Sequence, residues 1–163
     1  MAISEAIRAK LNEQVTNEFI AAQAYLSMAC VFDGLALKNL AARFRKQTEE
    51  ERGHALKILD YILTQGGKVR LQMLPEPPAE FASVSAAIDS AVEHEQKVTR
   101  QINDLVTLAE KEKDYATQSF LKWFVDEQVE EVQSMQHLAQ VARMAGNNLL
   151  QLEAYMAFAG AQR

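Results

Sequence analysis

Glu51 and His54 stand three residues apart in the segment Glu49-Glu50-Glu51-Arg52-Gly53-His54. On a helix that step puts a carboxylate and an imidazole on one face. Gln128 and Glu131 repeat the step later in the chain, and the separation from Glu18 to Glu51 equals that from Glu95 to Gln128. Two parts of the chain thus carry matching patterns: Glu followed by Glu-x-x-His, then Glu followed by Gln-x-x-Glu. Oxygen ligands with one imidazole and no thiolate suit iron, manganese or zinc. One Glu from each of two helices and a Glu-x-x-His from each of the other two is how helical bundles hold a pair of metal ions. The second half departs from that scheme, since Gln128 stands where a bridging carboxylate is expected and Glu131 where a His is expected. One metal position should therefore be well ligated and the other weaker and more open.

These residues interrupt apolar stripes. The period of hydrophobic residues is helical almost throughout. Ile3, Ile7, Leu11, Val15, Ala22, Tyr25 and Ala29 form the first stripe, with Glu18 inside it. Leu40, Phe44, Ile58 and Ile62 form the second, broken by Gln47, Glu51 and His54. Val84, Ile88, Ala91, Val98, Ile102 and Leu105 form the third around Glu95, and Leu121, Phe124, Met135, Leu138 and Ala142 the fourth around Gln128 and Glu131. An unpaired buried carboxylate costs several kcal/mol, and several together repel and take up protons. No Lys or Arg shares the stripes at these levels, and two divalent ions would balance the charges of Glu18, Glu51, Glu95 and Glu131.

The chain has 163 residues, 48% of them apolar, with six Gly, three Pro and one Cys. So little punctuation points to a few long helices in a single domain over residues 1–163. Ser4 is the expected cap of the first helix and Asp33-Gly34 its stop. The second runs from about Leu37 to Gln65 and ends at Gly66-Gly67. The third starts near Ser83 and breaks at Glu112 to Asp114, and the fourth stops at Gly146-Asn147-Asn148. Each long helix has about 25 to 30 residues and reaches roughly 40 Å. Tight joints make the first pair, and the last pair, antiparallel. All three prolines, Pro75, Pro77 and Pro78, fall between Lys68 and Ala82. That linker of about 15 residues can span on the order of 50 Å, the whole length of a bundle. The expected architecture is all-α: a ferritin-like four-helix bundle over 1–146 with one long crossover, plus a short fifth C-terminal helix over 147–160.

Seventeen basic against 22 acidic residues give a net charge of −5, so no nucleic-acid partner is expected. No run of about 18 apolar residues and no export signal is seen, which predicts a cytoplasmic protein without a membrane partner. Cys30 is expected to be a partly buried small hydrophobe, and His94 and His137 surface residues. Tyr25, two turns beyond Glu18, reads either as a core aromatic or as a hydroxyl beside the metal pair, and Trp123 has the same two readings. Glu50, Glu127 and Glu131 read either as a solvated acidic face or as a third cation position.

The stretches Leu11-Asn12-Glu13-Gln14 with Glu18 and Tyr25, Glu49 to His54, Glu95-Gln96, and Phe120-Leu121-Lys122-Trp123-Phe124 through Glu127-Gln128 together resemble a prokaryotic non-haem ferritin subunit over essentially the whole chain. The resemblance implies a ferroxidase centre with Glu18 and His54 on the first iron, Glu51 as bridge, Glu95 on the second iron and Gln128 beside it. It also implies a third iron site at Glu50, Glu127 and Glu131, and a role for Tyr25 next to the centre. Arg52 occupies the place of the haem-ligating Met of bacterioferritins, so no haem is expected. Unlike DNA-protecting mini-ferritins, the chain carries all its ligands internally and keeps the fifth segment.

The expected function is iron storage with ferroxidase activity: Fe2+ is oxidised by O2 or H2O2, and ferric mineral collects in a hollow homo-oligomeric shell of about 24 subunits. Leu149, Leu150, Leu152, Tyr155, Met156 and Phe158 would bury either against partner subunits or on the chain's own bundle. The alternatives are a passive storage shell and a di-iron oxidase acting on another substrate.

Overall fold

The computed structural model describes residues 3–161. Five helices follow in order: α1 (Glu5–Gly34), α2 (Lys38–Thr64), α3 (Val84–Lys111), α4 (Tyr115–Ala145) and α5 (Leu149–Ala161). The side chains of Ser4, Ser83 and Asp114 cap α1, α3 and α4, accepting from the amides of Ile7, Ala86 and Thr117. Such caps satisfy amides that a helix leaves free at its start. Leu37 cannot do this for α2. The Glu153 carboxylate of α5 takes its place, accepting from the amides of Asn39 and Leu40 and from the Asn39 side chain.

The turns use left-handed backbone at non-glycine residues, Ala36 (φ 61°) after α1 and Lys113 (φ 57°) after α3. α1 ends at Gly34, the expected stop. At the end of α4, Gly146 (φ 56°) takes the strained position that glycine tolerates.

Residues 65–83 form the crossover, held along α1 by two anchors. Asn12 donates to the Lys68 carbonyl (3.1 Å) and accepts from the Arg70 amide (2.6 Å), while Ser27 donates to the Pro78 carbonyl (2.7 Å). The linker therefore runs the length of the bundle, and α2 and α3 point the same way, as a chain spanning one full helix length requires.

The core is in two parts. One end packs Phe32, Phe44, Ile88 and Met135 with Leu152 and Met156 of α5. The other packs Ile7, Leu11, Ile58, Ile102, Leu121 and Phe124. Between them lies a polar waist. Of the apolar α5 residues, Leu152 and Met156 bury on the chain's own bundle, whereas Leu150 and Phe158 stay exposed. Cys30 is exposed rather than partly buried, because it stands next to the buried Ala29 on the outer side of α1. Among the described residues no helix is long and apolar enough to cross a membrane.

Candidate metal centre

Every long helix contributes to the waist. Glu18, Glu51, His54, Glu95, Gln128 and Glu131 are all buried there. Their ligand atoms form overlapping groups, each lying within 4.8 Å: Glu18, Glu51 and His54; Glu51, Glu95 and Glu131; His54, Glu127 and Glu131. Glu51 belongs to two groups, so it is placed to bridge two positions. His54 Nδ1 lies 3.2 Å from Glu51 and 3.9 Å from Glu18, and its Nε2 lies 3.9 Å from Glu127.

Two amides complete the arrangement. Gln14 donates to Glu18 (2.7 Å), and Gln47 donates to both Glu51 (2.7 Å) and Glu131 (2.9 Å). Both are buried. Sequence reasoning gave them no role, although each stands one turn before a stripe carboxylate, where i,i+4 side chains meet. Gln128 donates to Glu95 (3.2 Å) and Thr99 (3.3 Å). The Tyr25 hydroxyl donates to Glu95, so Tyr25 is both core aromatic and neighbour of the site.

The expected third position is brought together only in part. Glu127 and Glu131 gather at His54, whereas Glu50 pairs with Lys46 at 3.5 Å. His94 is half-buried rather than on the surface: its ring meets Tyr25 edge-on (centroids 5.9 Å apart), and its Nε2 is buried without a hydrogen-bond partner. His137 is exposed, as expected. Trp123 is partly exposed, edge-on to His54 at 5.5 Å and covered by the Lys57 ammonium at 3.5 Å.

Electrostatics set the protonation of the waist. Burial, then the charge of Glu51, raises Glu95 to about 8 and Glu131 to about 7. The same two causes raise Glu18 well above its ordinary value. Burial opposes the imidazolium of His54, but the hydrogen bond and charge of Glu51, reinforced by Glu18 and Glu131, prevail and raise it to about 9. Burial likewise opposes ionisation of Glu51, yet its bonds to His54 and Gln47 hold it below the usual range. The metal-free waist thus favours an ion pair, Glu51 with His54, ringed by carboxyls shifted toward their protonated forms. The fully buried Glu18 Oε2 has no hydrogen-bond partner. A lone carboxylate oxygen turned inward beside an imidazole fits a cation, and the raised acids fit one too, because divalent ions replace the missing positive charge.

Comparison with known proteins agrees with this geometry. Residues 8–145 match the family model described as ferritin-like domain. A bacterial non-heme ferritin of Staphylococcus haemolyticus is 41% identical over 129 residues, covering 79% of this chain and 78% of that protein. Ferritin BfrB of Mycolicibacterium smegmatis is 35% identical over 156 residues, 96% of this chain and 86% of that one. Among solved structures, an open-pore ferritin of the hyperthermophilic archaeon Archaeoglobus fulgidus superimposes with a TM-score of 0.92 at 41% identity, covering 94% of this chain and 96% of that one. Four buried carboxylates around one imidazole, on four helices joined by one long crossover, are therefore the waist of a member of the ferritin family, and the chain is a prokaryotic non-haem ferritin.

Proposed function

We infer that this chain, an iron-storage ferritin subunit, oxidises the Fe2+ it stores at the bundle waist. The carrying observation is the pair of buried ligand groups that share Glu51. In this reading Glu18 and His54 hold one Fe2+, Glu95 and Glu131 hold the other with Gln128 beside it, and Glu51 bridges them. Each Fe2+ gives one electron to O2 or H2O2, and protons taken from the waist carboxyls as metal enters balance the reduction. His54, Glu127 and Glu131 offer a third position, with Glu50 outside it. Tyr25 holds Glu95 in place through its hydroxyl. No haem is part of the reading.

The assembly we propose is a homo-oligomeric cytoplasmic shell of about 24 subunits enclosing ferric mineral. Stopped-flow mixing of metal-free protein with Fe2+ in air tests the activity. A fast absorbance rise saturating at about two irons per subunit is expected, and its absence would leave a passive shell. Glu127→Ala, which removes a ligand of the third position alone, should spare the first turnover and slow later ones, and identical multi-turnover traces would remove the third position from the reading. Gel filtration giving a monomer or dimer without a mineral core would overturn the storage shell.

A further inference from the structure

A groove of about 320 Å³ lies between α2, α4 and α5, away from the metal centre. Its polar side chains are Asn39, Arg43, Lys46, Ser134, His137 and Tyr155, and no carboxylate lines it. Glu130 lies one turn before Ser134 on α4, in the adjoining groove, and two other nearby acids are engaged. Glu50 pairs with Lys46 at 3.5 Å, and Glu153 accepts the amides at the start of α2.

The donors are held in place. Arg43 donates to the Ser134 hydroxyl at 2.6 Å, and among the described residues no carboxylate lies within ion-pair distance of it. A guanidinium has five donors in a fixed fork, so this bond orients the group and leaves others free. His137 Nε2 and the Tyr155 hydroxyl hold each other at 2.9 Å. Leu138, Met156 and Ala159 complete the lining, and apolar walls strengthen the field of Arg43, the one cation of the groove without a paired carboxylate among the described residues.

We propose that this groove binds a tetrahedral phosphoryl oxyanion, with Arg43 as the principal ligand and Lys46, His137 and Tyr155 around it. A planar fork of donors matches phosphate oxygens in pairs. The same chemistry is offered by free orthophosphate and by a phosphate monoester, so the test keeps them apart.

The assembled, iron-free protein is dialysed to equilibrium against radiolabelled orthophosphate and, separately, against AMP. Uptake of about one oxyanion per subunit is expected, weakened at least about tenfold by Arg43→Gln and retained in part by Arg43→Lys. Lys46→Gln, at an exposed position, should weaken it several-fold and serves if Arg43→Gln fails to assemble. Glu51→Ala, which alters only the metal centre, should bind like the wild type. Uptake of AMP alone, lost in Arg43→Gln, would support the site and assign it to esters. Equal uptake by wild type and both Arg43→Gln and Lys46→Gln, or uptake lost in Glu51→Ala, would overturn it.

Discussion

The two helical hairpins repeat one sequence spacing but spend it differently. In the first, α1–α2, the repeat yields a complete ligand group of its own, Glu18, Glu51 and His54, steadied by Gln14 and Gln47. In the second, α3–α4, it yields Glu95, Gln128 and Glu131, and these form a group only by borrowing Glu51. Tyr25 and Gln47, also from the first hairpin, fix Glu95 and Glu131. Replacing Glu by Gln and His by Glu at matched places thus turns two equivalent halves into a donor and a dependant. In the proposed reading, two metal positions of unequal strength need no change of backbone, only a choice of which hairpin carries the bridging carboxylate.

The dependence is broken most fully by Glu51→Ala. Both positions lose a ligand, so rapid oxidation should fall about 100-fold or more. The fold should survive, since the change also removes the charge that raises Glu18, Glu95 and Glu131. Stopped-flow absorbance and far-UV circular dichroism on the same sample check both halves. An unchanged rate would deny the bridge.

Gln128→Glu sharpens the contrast by restoring to the second hairpin a carboxylate at the place matching Glu51. The second metal position should tighten by about tenfold while the first is little changed. Titration with Co2+, followed by its visible absorption, should show two binding phases drawing together. Phases that stay as far apart as in the wild type would mean that Gln128 does not face the second metal.

The hairpins also separate on a pH axis in the metal-free protein. The second carries Glu95, raised to about 8, and Glu131, raised to about 7. A raised acid binds more protons folded than unfolded, so stability falls as pH rises from about 4.5 through these values. The first carries His54, raised to about 9. Its stabilisation is complete below the ordinary histidine value of about 6.5 and is lost as pH passes about 9. Both effects have the same sign: the melting temperature of metal-free protein should drop from mildly acidic to alkaline pH. Glu131→Gln should flatten part of the slope below about pH 7, leaving the parts due to Glu95, Glu18 and His54. A melting temperature that rises over this range would contradict the protonated waist.

Much of this was legible in the sequence, for a physical reason. A helix repeats every 3.6 residues, so a polar residue on an apolar stripe must be buried, and the burial of Glu18, Glu51, Glu95, Gln128 and Glu131 follows from position alone. Position does not say what lies sideways. Glu50 is one step round the helix from Glu51, far enough to meet Lys46 instead of the cluster. His94 is one step from Glu95, yet its ring packs on Tyr25 of a different helix. Cys30 differs from Ala29 by the same single step, and that puts it outside. The inter-helix bond from Gln47 to Glu131 depends on side-chain reach across the waist, which no single-helix pattern records.

The smallest effect concerns how each hairpin starts its second helix. Asp114 caps α4 within its own hairpin, bonding both the amide and the hydroxyl of Thr117. The first hairpin has Leu37 there and relies on Glu153 from α5. A charged cap at a helix start is worth about 1 kcal/mol, and here that energy also ties α5 to the bundle. Glu153→Gln keeps the shape and removes the charge. It should lower the melting temperature by roughly 2–4 °C without changing the oxidation rate, because Glu153 touches none of the waist residues. Asp114→Asn should cost a similar amount while leaving α5 as protected from amide hydrogen exchange as before. In Glu153→Gln, by contrast, exchange should quicken at α5 and at the first turn of α2 together. Exchange that quickens at α2 alone would show that Leu152 and Met156 hold α5 without the carboxylate, and the first hairpin would then borrow a cap without giving anything in return.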